Sequence, residues 1–481
     1  MLVHNVNVLV EENIVLDTIQ TGFAAHADGP KYRAVCHALR DAVEQGALQV
    51  GDRLPPVREL AWQLRITPGT VARAYTILTD EGLLRAEVGR GTFVADRSAV
   101  ETEYANVPLV KYLPPASDIT NLYYSRPPDV GQVALLQDAM RCLGQLPAQA
   151  LLEYPSSERF GPTRAAALRW MADAVLGPAT ETDVVLSHGG QSGVMMVMQT
   201  VLRGPAPVVL VEELSYPGFR RAAELARAKV VTVPMDAQGL IPEALDELVQ
   251  KHDAQLLCTS AEVHNPTSIF TPQSRREAIA NVAAKRGLAV MEDDCYRLAP
   301  SRAPTYRALL PDLGWYVSSI SKTLAPSLRV GFVVAPQSQA AALRRTAEHG
   351  FFGLAVPLAM LTADLLTRPE TVQTVERLRE ETARYVRCAV NLLGGFDVSY
   401  SEDVPFLWLK LPERWRVGAF VQAAEAAGIT LRGAEHFVPR DGIVPQAVRI
   451  SVNAHIPLED FERAILRIRH LLDTPPEGLA V

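Results

Sequence analysis

Closely spaced cysteines are missing from this chain. Its five, Cys36, Cys142, Cys258, Cys295 and Cys388, are scattered with no paired spacing, which excludes a disulfide framework and a thiolate metal site and suits a reducing cytoplasm. Long apolar runs are missing too: nothing approaches the roughly 18 uninterrupted apolar residues of a membrane span. The Val-rich opening Met1 to Leu16 is broken by Glu11 and Glu12 and has no basic residue before it, so it makes a poor signal peptide. No internal repeat or low-complexity tract is apparent. Nor is there a surplus of positive charge, with 47 Lys and Arg against 54 Asp and Glu and a net charge of −7. Any nucleic-acid binding must therefore rest on a focused basic face rather than on bulk charge. Residues 1–28 carry no functional reading.

What is present points to more than one folded unit. A chain of 481 residues, 48% of them hydrophobic, is too long for one ordinary core and apolar enough to fold without staples. The most telling stretch is Ser319-Ile320-Ser321-Lys322, followed seven residues later by Arg329-Val330-Gly331. The apolar run Trp315 to Ile320 reads as a buried strand, so Lys322 leaves it at the edge where open α/β sheets place their ligands. A lysine there is suited to a Schiff base with an aldehyde cofactor. Ser319, Ser321 and Arg329 add hydroxyls and a guanidinium fork for a phosphate, as pyridoxal 5′-phosphate (PLP) requires.

The chain before Lys322 supplies further parts in order. Leu288 to Met291 is strand-like and ends in Glu292-Asp293-Asp294-Cys295-Tyr296, offering a carboxylate for a pyridine nitrogen and a phenol for the ring oxygen. Gln255 to Cys258 is another strand candidate, followed by His264-Asn265-Pro266-Thr267 with an amide donor. Val184 to Ser187 reads as a strand leading through Gly189 and Gly190 into an apolar helix, whose exposed amides suit an anion. Tyr216, after the strand Val208 to Val211, is placed to stack on a ring. Acid, amide, aromatic and glycine turn on successive strand ends make one constellation.

Residues from about Asn121 to Leu472 resemble a fold-type I aminotransferase. The resemblance implies Lys322 as the Schiff-base lysine, Asp293 as the pyridine partner, Asn265 and Tyr296 as partners of the ring hydroxyl, and Tyr216 as the stacking aromatic. It implies a phosphate cup of Gly190, Gln191, Ser319, Ser321 and Arg329. It also implies that Tyr154 reaches the neighbouring subunit's phosphate site in a homodimer, and that Arg449 grips a substrate carboxylate with its bidentate fork. Two departures stand out: Gly190 replaces a hydroxyl residue common in relatives, and Cys295 sits in the spacer between Asp293 and Tyr296.

The first hundred residues carry a different message. Tyr32 to Glu44 has helical spacing closed by Gly46, and a second helix follows Leu54-Pro55-Pro56. Thr67 is placed to cap a third helix that has Pro68 at its first position and Gly82 as its stop. Leu83 to Val94 reads as a two-stranded ribbon, giving a winged helix-turn-helix. Between Lys31 and Arg97 there are ten Lys or Arg and eight Asp or Glu, a net of +2. The runs Arg53-Leu54-Pro55-Pro56-Val57-Arg58-Glu59-Leu60-Ala61 and Gly89-Arg90-Gly91-Thr92-Phe93-Val94 resemble the DNA-binding domain of GntR regulators. By that resemblance Thr67, Thr70 and Arg73 contact bases and phosphates, and Arg58 and Arg90 hold the backbone. Gly69 stands where many relatives carry arginine.

The whole is similar to the MocR subgroup of GntR regulators. The expected fold is an N-terminal winged helix-turn-helix (29–97) after an extension (1–28), a Pro-containing linker (98–119), and an α/β PLP-dependent transferase-like body (120–475). The body divides into a large domain over about 160–345 and a smaller α+β domain over about 346–475. The resemblance implies a cytoplasmic, homodimeric, PLP-dependent transcriptional regulator that meets double-stranded operator DNA at two half-sites. It senses an amine or amino-acid effector on the Lys322 imine, with no metal and no membrane. The alternatives are a working aminotransferase with a fused DNA-binding domain, or a direct sensor of PLP that controls vitamin B6 metabolism.

Overall fold

A computed structural model describes residues 19–25, 30–81, 83–87, 91–95, 119–152, 154–155, 157–439 and 442–473. The chain divides into two compact units, Met1–Ser117 and Asp118–Val481. In the first, a helical stretch over residues 19–25 precedes α1 (Lys31–Glu44), α2 (Val57–Gln63) and α3 (Pro68–Asp80), and then β1 (Leu84–Glu87) pairs antiparallel with β2 (Gly91–Val94). Val35, Leu39, Leu60, Val71, Ala74, Leu78, Leu84 and Val94 close one core. Their spacing puts a single apolar stripe of each helix inward. Pro68 opens α3 as expected, but the Thr67 hydroxyl makes no cap bond to the backbone. It lies 2.9 Å from the Thr70 hydroxyl instead. Gly82 and Arg90 lie outside the described residues.

The second unit is built on a seven-stranded sheet of β3 (Val184–Ser187), β4 (Val208–Glu212), β5 (Lys229–Val233), β6 (Leu256–Thr259), β7 (Ala289–Asp293), β8 (Gly314–Ser319) and β9 (Gly331–Val334), in the order β3-β9-β8-β7-β6-β4-β5. All pairings are parallel except those of β9, which runs antiparallel to both its neighbours. All but β5 lie almost wholly in the interior, which explains why they read as continuous apolar runs rather than alternating ones. Helices α4 (Gly190–Val201), α5 (Pro217–Leu225) and α6 (Gln273–Arg286) follow β3, β5's neighbour β4, and β6 respectively.

Towards the C-terminus, α7 (Pro369–Leu393) and α8 (Leu458–Asp473) pack with a four-stranded antiparallel sheet. Its strands are β10 (Val398–Ser399), β11 (Phe406–Lys410), β12 (Arg432–Gly433) and β13 (Ala447–Ser451), in the order β10-β11-β13-β12. Val386, Leu407, Phe420, Val448, Ile450, Phe461 and Ile465 form its core, joined by Leu122 from the start of the unit. Among the described residues no helix is long and apolar enough to cross a membrane.

Candidate cofactor site and nucleic-acid interface

The carboxyl ends of β7 and β8 bring an acid, a phenol and an amine together. Lys322, three residues past β8, places its Nζ 5.0 Å from the centroid of the Tyr296 ring. Asp293 ends β7, its Oδ1 accepting the Cys295 backbone N–H at 3.1 Å. Burial pushes the Asp293 carboxyl up, opposed by its hydrogen bonds with Cys295. Among the described residues it makes no ion pair. A half-buried acid with no ion-pair partner among the described residues fits a protonated pyridine nitrogen. Burial would raise the Tyr296 phenol, but the charges of Lys322, Arg449 and Arg432 outweigh it and bring the group below the ordinary tyrosine range. Tyr216 sits at the start of α5, half-buried, and feels the charge of Asp293.

The residues expected to hold a phosphate lie together at or past the ends of β3 and β8. The Ser319 hydroxyl lies 2.8 Å from that of Ser321 and 3.0 Å from the Val330 carbonyl oxygen, and Arg329 Nη1 donates to Ser321 Oγ at 3.3 Å. Gly189 takes φ +79° ahead of α4, and a Cβ built on it would stand 2.6 Å from Arg329 Nη2. Only glycine lets the guanidinium lie against this turn. Gln191 donates its amide to the Gly218 carbonyl at 2.9 Å while its buried Oε1 has no partner.

The two sequence departures prove to be one feature. A Cβ on Gly190 would lie 2.4 Å from Cys295 Sγ, so the thiol fills the space that a side chain at 190 would need. Burial, then Asp293, pushes the Cys295 thiol well above its usual range, making it a neutral packing group rather than a nucleophile. Gly190→Ala is therefore expected to lower PLP affinity roughly tenfold through overpacking, and adding Cys295→Ala to recover most of the loss. Absorbance titration of PLP into the apo proteins checks this; equal losses in the single and double variants would contradict the pairing.

Arg449, in β13 and 1% exposed, donates from Nη1 to Asn265 Oδ1 at 2.7 Å and from Nη2 to the Tyr123 carbonyl at 3.3 Å. Burial brings its guanidinium down to about 10. The amide oxygen of Asn265 is thus engaged, and its nitrogen is the end left to donate to a ring oxygen. Sequence reasoning missed Arg432, which faces Tyr123 and Tyr124; its two-residue strand leaves no periodic signal. It also missed the buried group beneath the site, where Glu212 Oε1 accepts from the Thr259 hydroxyl and the Ser260 amide and its Oε2 lies 3.7 Å from His264 Nε2. Tyr154 stands apart from these contacts: it is 84% exposed, and its ring lies 6.4 Å from that of Phe352.

On the first unit, Arg58, Thr67 and Arg73 are exposed and Thr70 half-exposed. Arg73 Cζ sits 4.2 Å from the centroid of the Tyr32 ring, which stacks the guanidinium against the start of α1.

A lysine at the end of a buried strand, its acid and phenol partners, and a winged helix-turn-helix define a PLP-dependent transcriptional regulator with a fold-type I body. Residues 117–468 match the model of aminotransferase class I and II, and residues 31–94 that of bacterial regulatory proteins of the gntR family. The chain belongs to the aminotransferase class I and II family, carrying a GntR DNA-binding domain in front, which is the MocR arrangement. It is 27% identical over 455 residues to the uncharacterized HTH-type transcriptional regulator YdeF of Bacillus subtilis, covering 93% of this chain and 95% of that protein. It is 26% identical to the vitamin B6 salvage pathway transcriptional repressor PtsJ of Salmonella typhimurium, covering 85% and 92%. Among solved structures it is similar to the α-aminoadipate aminotransferase LysN of Thermus thermophilus. The TM-score there is 0.66 at 23% identity, over 74% of this chain and 92% of that one.

Proposed function

We propose that the protein controls transcription in response to an amine or amino acid that reaches the Lys322-bound cofactor, so that binding energy rather than turnover is its output. The observation that carries this is the placement of Arg449 on Asn265, within reach of the same Tyr296 phenol that faces Lys322. A carboxylate grip and an amine-reactive centre meet in a chain that also carries a DNA reader. When bound, PLP supplies an aldehyde carbon that amines attack and a ring that withdraws electrons. The protein's own work is to hold the ring nitrogen at Asp293, the ring oxygen at Asn265 and Tyr296, and the phosphate at Gly190, Gln191, Ser319, Ser321 and Arg329.

Coupling requires an effector that binds two arrangements of the chain unequally, and a tenfold shift takes about 1.4 kcal/mol. We read the protein as a cytoplasmic homodimer. The exposed Leu152, Tyr154 and Phe352 support a subunit contact through which Tyr154 meets the neighbour's phosphate site, and two DNA readers then engage two half-sites. The test is DNA binding by the holo protein with and without amines. Effector-dependent affinity without product supports the regulator.

A second reading, an aminotransferase with a fused reader, is favoured by the complete cofactor constellation and by a relative named 2-aminoadipate transaminase, 29% identical over 276 residues. Repeated turnover with an amino donor and a 2-oxo acid would establish it. Direct sensing of PLP, in keeping with the name of PtsJ, predicts that PLP alone changes operator affinity and amines add nothing. In every case Arg73→Ala should weaken specific DNA binding by about 1–3 kcal/mol, read by fluorescence anisotropy; an unchanged footprint would contradict a contact from this residue.

A further inference from the structure

The carboxylate grip contains a second cation. In the pairing of β12 with β13, Arg432 stands directly opposite Arg449. Side chains opposite each other in antiparallel strands share a face, and like charges there destabilise the sheet. Both guanidiniums flank one ring, 5.8 and 5.2 Å from the Phe437 centroid. Neither makes an ion pair among the described residues. Glu435, close in sequence, lies 3.8 Å from His436. The Nε atoms of Arg432 and Arg449 are both buried without a hydrogen-bond partner.

Arg432 also lies 4.1 and 5.0 Å from the centroids of Tyr123 and Tyr124. Stacking satisfies the face of a guanidinium but not its N–H donors, which lie in its plane and need acceptors. Two adjacent cations with open donors, one of them fully buried, are costly unless anions complete them. Arg449 already meets Asn265 and the Tyr123 carbonyl, so a single carboxylate on it leaves Arg432 unanswered. Arg432 shares a strand face with Arg449, which meets Asn265 at 2.7 Å, and its charge acts on the Tyr296 phenol that faces Lys322.

We infer that Arg432 and Arg449 form a paired anion grip and that the effector carries two acid groups beside its amine, as an amino dicarboxylate does. This rests on the amine-sensing reading above. A monocarboxylate amine fills one half of the grip. Arg432 then sets specificity for the second charge, whereas Arg449 is needed by every acidic ligand.

The experiment compares amino diacids with their side-chain amides, which keep shape and lose one charge: glutamate against glutamine and aspartate against asparagine, with the six-carbon amino diacid completing the series. Glutarate serves as a diacid without an amine. Binding to the holo protein is read by calorimetry and by the cofactor's absorbance. At least one amino diacid should bind roughly tenfold to a hundredfold more tightly than its amide. Arg432→Gln should erase that preference and weaken glutarate while leaving the amides unchanged; Arg432→Lys should keep part of it. Arg449→Ala should weaken diacids and amides alike. If amides bind as tightly as diacids and Arg432→Gln alters neither, the paired grip is wrong although amine sensing stands. If no amine changes the cofactor spectrum but glutarate binds in an Arg432-dependent way, amine sensing fails and the grip survives. Should neither diacids nor glutarate bind and no amine change the cofactor spectrum, both fall.

Discussion

Lys322→Ala abolishes the visible absorption band of the cofactor's imine with the protein and leaves no PLP fixed to the protein by borohydride, while the fold persists. The expectation follows from what the residue does and does not hold up. Its side chain is half-exposed at the end of β8 and faces the Tyr296 ring rather than the apolar core, so truncation opens no cavity and should cost little stability. The covalent link, by contrast, has no substitute: no other lysine is present between Lys285 and Lys410, and the neighbouring Cys295 thiol is held protonated. The phosphate cup and Asp293 should still bind PLP reversibly and more weakly, so mass spectrometry after reduction is the decisive readout. Borohydride-fixed cofactor in the variant would move the attachment to another residue. The same variant should lose any response of DNA binding to amines while keeping its basal affinity for DNA.

Much of this site was legible before any fold was known, for a physical reason. Strands buried on both faces must be apolar throughout, so β3, β4, β6, β7 and β8 announce themselves as short runs, and the polar residues just beyond them mark the ligand edge. That is why the positions of Lys322, Asp293, Tyr296 and Tyr216 at or just past strand ends are legible in the sequence. Residues whose roles depend on packing between distant segments were not. Gly190 and Cys295 each stood out, but their mutual dependence rests on one contact across more than a hundred residues. Arg432 is invisible for a similar reason, since its strand spans two residues and its meaning comes only from standing opposite Arg449. Thr67 shows a local rule giving way: the residue type and position were right for a cap, but its hydroxyl bonds to Thr70 instead.

A larger effect on stability is expected from a residue that never touches a ligand. Arg276, in α6 and fully buried, donates to Glu292 Oε1 at 3.2 Å, to Glu262 Oε2 at 2.6 Å and to the carbonyls of Thr271 and Pro304. Glu292, next to Asp293, also accepts the Tyr306 amide at 2.8 Å. Arg276→Leu should destabilise the body by about 3–5 kcal/mol, because two carboxylates lose their buried partner. Arg302→Leu, on the same Glu262 but 46% exposed, should cost at most about 1 kcal/mol.

The loss should also depend on pH in a definite sense. Burial raises Glu292 to about 7, and Arg276 is the strongest influence holding it down. Without that cation its midpoint moves higher. A folded-state carboxyl raised above its unfolded value binds more protons than the unfolded chain, so it favours folding at low pH and this contribution is lost as pH rises through the folded midpoint. Arg276→Leu should therefore be closest to wild type near pH 5 and furthest from it near pH 8. Urea unfolding at the two pH values, followed by the protein's circular dichroism, measures this; a penalty that is constant or larger in acid would mean that Glu292 stays ionised and finds another partner.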